Sequence, residues 1–303
     1  MQTMQQQCRP ALGTLVEIAI HEEDLPGSAS ARESLFASAF AAIAAVEQEM
    51  SFHAPQSSLS RLNRTPAGVS LKLPAWTYEV LETAMMLHAA TDGQFDCGIA
   101  HRLVHSGLLP DHGLRALAHS SLEGLQLEGA QTVTVLRPTC VDLGGIAKGF
   151  AVDKAVDALH AAGVSRCRIN AGGDIRISGR EATDIFIRHP TAPGLAVLLG
   201  QLAEGAVATS APYYSLCEHA GEATCALLDP QGKSLTAPVS YTVLAPTCMI
   251  ADALTKAVAV CASRAPQRSS PLDAAPPQPF HAGFLAQFQA QAFILHPPLA
   301  QQR

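Results

Sequence analysis

Charge is scarce in this sequence. Only 15% of its 303 residues are Asp, Glu, Lys or Arg, the net charge is −6 and no basic run occurs, which argues against a nucleic-acid surface. Paired cysteines are missing too. The eight cysteines, at 8, 97, 140, 167, 217, 225, 248 and 261, include no Cys-x-x-Cys, so most read as small buried hydrophobes in a reducing compartment, not as metal or disulfide ligands. The stretch Met1 to Pro10 has neither a basic n-region nor an apolar h-region. No apolar run approaches the ~20 residues needed to span a bilayer, and nothing apolar precedes Cys8 as it would before a lipid anchor. The expected location is cytoplasmic, or periplasmic if the chain is a mature or truncated form. No internal repeat of fixed period is evident.

Apolar content of 48% over this length suits a real core in one large or two modest domains. The organising stretch is Val141-Asp142-Leu143-Gly144-Gly145-Ile146-Ala147-Lys148-Gly149-Phe150-Ala151-Val152-Asp153. Thr132 to Leu136 has strand character and Pro138 ends it. After the glycines, Val152, Val156 and Leu159 recur at helical spacing and Gly163 caps the end, which predicts a helix of about four turns. Gly144 and Gly145 let backbone approach a ligand closely, and the opening helix offers unpaired N–H groups and a positive dipole end. That favours an anion such as a diphosphate, with Lys148 adding a full charge and Asp142 able to accept a hydrogen bond. A solvated glycine-rich connection, with Lys148 and Asp153 in water, is the plain alternative. The turn fits neither the dinucleotide fingerprint nor the P-loop.

Along the chain, Leu12 to Ile20 reads as a first strand, Ala29 to Met50 as an Ala-rich helix and Trp76 to Thr91 as a second one. Met85, Met86 and Leu87 read as core. His101 and His105 fall four apart, on one helix face as zinc ligands do. With no Glu between them and no third ligand signposted, they read as surface or partner-facing histidines. Cys167 to Asn170 is a strand running into a second glycine pair, Gly172-Gly173, where backbone must pass close to something. Ile175 to Ile177 and Ile185 to Ile187 read as a hairpin across Ser178-Gly179-Arg180, and Leu195 to Leu199 as a further strand. The hydroxyls of Thr209 and Ser210 suit either a phosphate or a turn. Mixed strands and helices without a βαβ rhythm make the fold class α+β.

Asp142-Leu143-Gly144-Gly145-Ile146-Ala147-Lys148-Gly149-Phe150-Ala151-Val152-Asp153 resembles the central motif of the FAD:protein FMN transferases, the ApbE-type flavin transferases. Further boxes follow in that family's order: Leu12-Gly13-Thr14, Met50-Ser51-Phe52-His53, Ser57 to Asn63, Thr91 to Asp96, Asn170 to Ile175, Ala208-Thr209-Ser210, Asp229-Pro230 and Pro246 to Leu254. Ordered boxes across residues 12 to 254 make the resemblance specific where each box alone is not.

The resemblance implies an ApbE-like fold of mixed and antiparallel sheets flanked by helices over residues 1–263, with room for two packed lobes. Residues 264–280 would then be a Pro/Ser/Ala-rich linker, and 281–303 a helix and strand returning to the domain. It implies FAD as substrate with Mg²⁺: the FAD diphosphate is cleaved, FMN passes to a Thr or Ser hydroxyl of an acceptor flavoprotein, and AMP leaves. By resemblance, Phe52, His53, Gln94, Phe95, Asp96, Asp142, Lys148, Thr209 and Ser210 would line the flavin. Gly145, through its carbonyl, and Asp252 would hold the metal.

Two positions depart from the family pattern. Its transfer histidine falls on Ala226, leaving His219 and Cys225 as replacements. Its metal-binding Thr falls on Lys256, with Thr255 one residue early and so about 100° round the helix. Lys256 shares the face of Asp252, as an ordinary ion pair or as an ammonium that does the work of the missing cation. Asp252, Lys256 and His219 are therefore the expected catalytic set. Two other readings stay open: a family member that binds FAD without transferring it, and an FAD diphosphatase releasing FMN and AMP.

Overall fold

The computed structural model describes residues 4–114, 116–192, 194–219, 221–264 and 278–297. It opens with a hairpin that the glutamine-rich start gives no sign of. β1 (Met4–Ala11) pairs antiparallel with β2 (Thr14–His21) across a two-residue turn in which Leu12 and Gly13 both take positive φ, 54° and 70°, as primed hairpin turns require.

Ser28 then caps α1 (Ala29–Met50), its hydroxyl accepting from the Ala31 N–H at 3.2 Å. Phe36, Phe40, Ile43, Val46 and Met50 form the buried face of α1. By length and composition this helix could also cross a membrane; its apolar face is spent on packing against the core and α5 (Ala147–Ala161).

Between those two helices lie α2 (Ser58–Asn63), β3 (Ser70–Lys72), α3 (Ala75–Ala90), α4 (His101–His105), β4 (Leu125–Gly129) and β5 (Thr132–Val135). β3, β5 and β4 form a small antiparallel sheet in that order. After α5 come β6 (Cys167–Ala171), β7 (Asp174–Ser178), β8 (Thr183–Arg188), β9 (Ala196–Leu202), β10 (Gly205–Ser210), β11 (Cys217–His219), β12 (Glu222–Thr224), β13 (Ser240–Ala245) and α6 (Cys248–Arg264). The described chain closes with β14 (Gln278–Phe280), α7 (Gly283–Gln287) and β15 (Gln291–Leu295).

Among the described residues eight strands make the main sheet, ordered β1-β2-β6-β7-β10-β13-β15-β14 and antiparallel throughout. α5 and α6 pack against one another and onto this sheet. The architecture is α+β, as expected. Of the stretch read as linker, 265–277 fall outside the described residues, Arg264 ends α6 and Gln278–Phe280 forms β14.

One strand pairing differs from the sequence reading. β7 pairs with β6 and β10, while β8 pairs with β9. The hairpin turn is the second glycine pair, with Gly172 and Gly173 at φ 62° and 105°, and a Cβ at Gly172 would crowd the Thr14 hydroxyl at 2.6 Å. Thr14 is thus what the backbone passes close to. Beneath β8 and β9, Ile177, Ile185 and Val207 form a second, smaller core.

Candidate functional site

The site gathers where the N-terminal ends of α5 and α6 meet the β6–β7 turn. The segment leading into it is pinned from a distance. The Asn63 side-chain amide donates to the Val141 carbonyl and its oxygen accepts from the Val141 N–H, both at 2.8 Å and buried. The Asp142 N–H donates to the Cys97 carbonyl at 3.0 Å. Asp142 is thereby presented at a fixed point, and its Oδ1 accepts from the Gly144 N–H at 3.1 Å.

Gly149 explains why the two helices meet so closely. A Cβ there would overlap the Cys248 carbonyl, so only glycine permits this crossing. Its N–H, one of the unpaired donors of the first helical turn, reaches Asp252 Oδ2 at 3.1 Å. On the next turn Lys256 returns its ammonium to Asp252 Oδ1 and to the Asp252 carbonyl, the latter at 2.9 Å. The Lys256 stem also lies over the first turn's glycines, its Cε 3.3 Å from where a Cβ of Gly145 would sit. Lys148 pairs with Asp174, the first residue after the second glycine pair. Three carboxylates and two ammoniums therefore share one pocket.

Their proton affinities follow from that crowding. Burial pushes the Asp142 carboxyl above the usual range. Burial, then the neighbouring Asp252 charge, pushes Asp174 up as well. Burial works the same way on Asp252, but the Lys256 and Lys148 ammoniums outweigh it and hold that carboxyl below its ordinary value. Burial pulls Lys148 down, yet Asp174 and Asp252 hold it above a free lysine. At neutral pH the Lys148 ammonium is charged and Asp252 is ionised.

Asp153, a residue the sequence left in water as the plain alternative, sits inside. Its two oxygens accept from the N–H groups of Cys248 (2.9 Å) and Met249 (2.8 Å), so it caps α6 from α5. Burial pushes its carboxyl up to about 6 even so. Asp153→Ala is expected to lower stability by about 1–2 kcal/mol, the usual worth of a lost cap, read as a lower urea midpoint with unchanged slope.

The other expected residues divide. Asp142, Lys148, Asp252 and Lys256 come together, and the Gly144–Gly145 turn lies beside them. His53 is exposed and close enough for its charge to favour ionised Asp142. Ser210 bonds to Thr255 at 2.7 Å, so Thr255, fully buried, faces the sheet, as its position on the helix implied. Thr209 bonds to Thr242 at 2.9 Å. Gln94 is held by Cys261 of α6.

Others turn inward. The rings of Phe52 and Phe95 are core, each 3% exposed, which leaves their backbone to meet a ligand. The Asp96 carboxylate is occupied by the Gly98 and Leu122 N–H groups and the Ser121 hydroxyl, a loop staple. Of the candidates for the absent histidine, His219 lies on exposed β11 with its ring against Gly107, not against Asp252. Cys225 is fully buried, its thiol donating to the Leu227 and Leu235 carbonyls. Neither stands in for it. His101, read as a surface or partner-facing histidine, is 2% exposed instead.

A divalent cation fits this donor set poorly. Both Asp252 oxygens and its carbonyl are engaged by Lys256 and the Gly149 N–H, and the Thr255 hydroxyl donates to the Asp252 carbonyl at 2.6 Å. An ammonium holds the oxygens that a magnesium ion would need.

Comparison with known proteins agrees with the site's motifs. The family model described as the ApbE family matches residues 12–269. The FAD:protein FMN transferase of Vibrio cholerae is 29% identical over 262 residues, 81% of this chain and 78% of its own; that of Haemophilus influenzae is 28% identical over 233 residues, 69% and 67%. The ApbE protein of Thermotoga maritima superposes with a TM-score of 0.77 at 25% identity, over 86% of this chain and 88% of its own. The match over most of the chain settles the assignment: the chain belongs to the ApbE family.

Proposed function

We propose that this protein is an FAD:protein FMN transferase in which the Asp142–Gly145 turn, Lys148, Asp252 and Lys256 grip the FAD diphosphate. The observation that carries the reading is that the Lys148 and Lys256 ammoniums and the opened N-terminus of α5 come together beside the Gly144–Gly145 turn, donors of the kind an anionic bridge needs. Curated relatives bearing that activity name support it.

In the reaction, the acceptor Thr or Ser oxygen bonds to the FMN phosphorus. The bond from that phosphorus to the bridging oxygen breaks, AMP departs with the electron pair and the hydroxyl proton passes to solvent. Lys148 and Lys256 offset charge as it gathers on the leaving AMP. Asp252 holds Lys256 in place, and Asp142 accepts from the flavin nucleotide. Because Lys256 occupies the oxygens of Asp252, its ammonium takes the role the family gives to magnesium. The acceptor is a protein presenting a Thr or Ser in a flavinylation motif, and the cytoplasm is the proposed compartment.

Mass spectrometry after incubation with FAD and a family-type acceptor peptide tests this. FMN-labelled peptide with released AMP is expected. Free FMN and AMP without labelled peptide would make the protein a diphosphatase, and bound, unaltered FAD would make it a carrier; either rejects the transferase.

A further inference from the structure

A separate cavity, of about 310 Å³, opens between α4, the turn Leu122–Gly124 and the segment Arg137–Thr139. None of its lining residues belongs to the Asp142–Lys148–Asp252–Lys256 cluster. Its inner wall carries His101, with neither ring nitrogen partnered. A buried polar group without a partner is costly, roughly 1–3 kcal/mol, so such a group points to something that binds it. Burial first, then the charges of Arg102, His105 and His119, disfavour protonation of His101 and outweigh the opposing Asp96 charge, so that it is pulled down to about 4. At neutral pH it offers one N–H and one lone pair.

The rest of the lining is short of negative charge. Arg102 makes no ion pair among the described residues, and its stem rests over Gly232. Arg137 faces only Glu123 at 3.6 Å, with both side chains well exposed, a pairing of little strength. The hydroxyls are already spent: Ser121 donates to Asp96, and Thr139 donates to the Arg137 carbonyl. What faces the cavity without a strong partner is two guanidiniums and an imidazole, against the single Glu123 carboxylate.

We infer that this cavity is a binding site for a phosphoryl oxyanion, free or carried as a monoester, held by Arg102 and Arg137 with the His101 ring donating from below. Guanidinium forks suit such an anion. The volume, about ten waters' worth at roughly 30 Å³ each, leaves room for a small organic group on the phosphate. The site stands apart from the transferase reading.

Histidine-ring ¹⁵N NMR on the full chain, titrated separately with inorganic phosphate and with AMP, tests it. Saturable shifts of the His101 nitrogens are expected with one or both, and which of the two binds more tightly identifies the source. Arg102→Ala should weaken binding at least tenfold while FAD affinity stays unchanged. His101→Phe, which fills the same space without the ring N–H, should weaken binding of the phosphate probe at least tenfold, read by ³¹P NMR of the probe, and serves should Arg102→Ala fold poorly. No shift with either probe, equal binding by the variants, or displacement of the probe by FAD would overturn the proposal, the last because the anion would then occupy the flavin pocket.

Discussion

Transfer by the wild-type protein is expected to persist in EDTA, and Lys256→Ala is expected to lower kcat/KM for FAD by about 10²–10³, the usual effect of removing one preorganised donor from developing charge. The physical reason is positional. On α6 the side chain four residues after Asp252 lies directly above it, and here it is an ammonium bonded to both the carboxylate and the carbonyl of Asp252. A magnesium ion would have to displace it. Lys256→Thr restores a hydroxyl at that position and frees Asp252, so this variant is expected to become magnesium-dependent where the wild type is not. Rates measured across a magnesium titration read both effects. A wild type strictly dependent on magnesium contradicts the role given to Lys256.

Gly149→Ala is expected to destabilise the protein by about 2 kcal/mol and to abolish transfer. Two effects of opposite sign compete. Helix propensity alone predicts that alanine stabilises α5 by about 1 kcal/mol. Against it, the added methyl overlaps the Cys248 carbonyl, which is backbone and cannot rotate aside, and overpacking of this kind costs roughly 1–3 kcal/mol or more. Overlap with a main-chain atom belongs at the upper end, so packing wins. Relief requires α6 to move away, which carries Asp252 off the Gly149 N–H and Lys256 off the diphosphate. Urea unfolding gives the stability and the flavinylation assay the activity; a variant that is more stable and fully active would show that the crossing is looser than described.

Local pattern carried much of the fold. α1 ends at Met50 as its apolar spacing implied, and the helix after Gly145 runs Ala147–Ala161 with Gly163 beyond it at φ 90°. The facing of Lys256, and the turning away of Thr255, also followed from 3.6 residues per turn. What escaped was decided by partners distant in sequence. β1 is polar because it is an edge strand, so hydrophobic alternation could not announce it. The β6–β7 hairpin depends on Gly172 and Gly173 taking positive φ, which Gly144 and Gly145 do not, and the two glycine pairs look alike in sequence. Asp153 caps a helix 95 residues later, and Asp174 meets Lys148 only through the β6–β7 turn. The family order of boxes flagged both stretches, yet the roles needed the packed helices. His101 lies on a short helix whose two histidines suggested surface, while packing turned one of them inward.

The most direct test of the central claim is an equilibrium titration of FAD into the protein in EDTA, followed by flavin fluorescence, for the wild type and Lys148→Ala. A saturable one-to-one isotherm that weakens at least tenfold in the variant is predicted. An absence of binding by the wild type with or without added magnesium, or equal affinity in the two proteins, would contradict a pocket that holds the flavin nucleotide by its diphosphate.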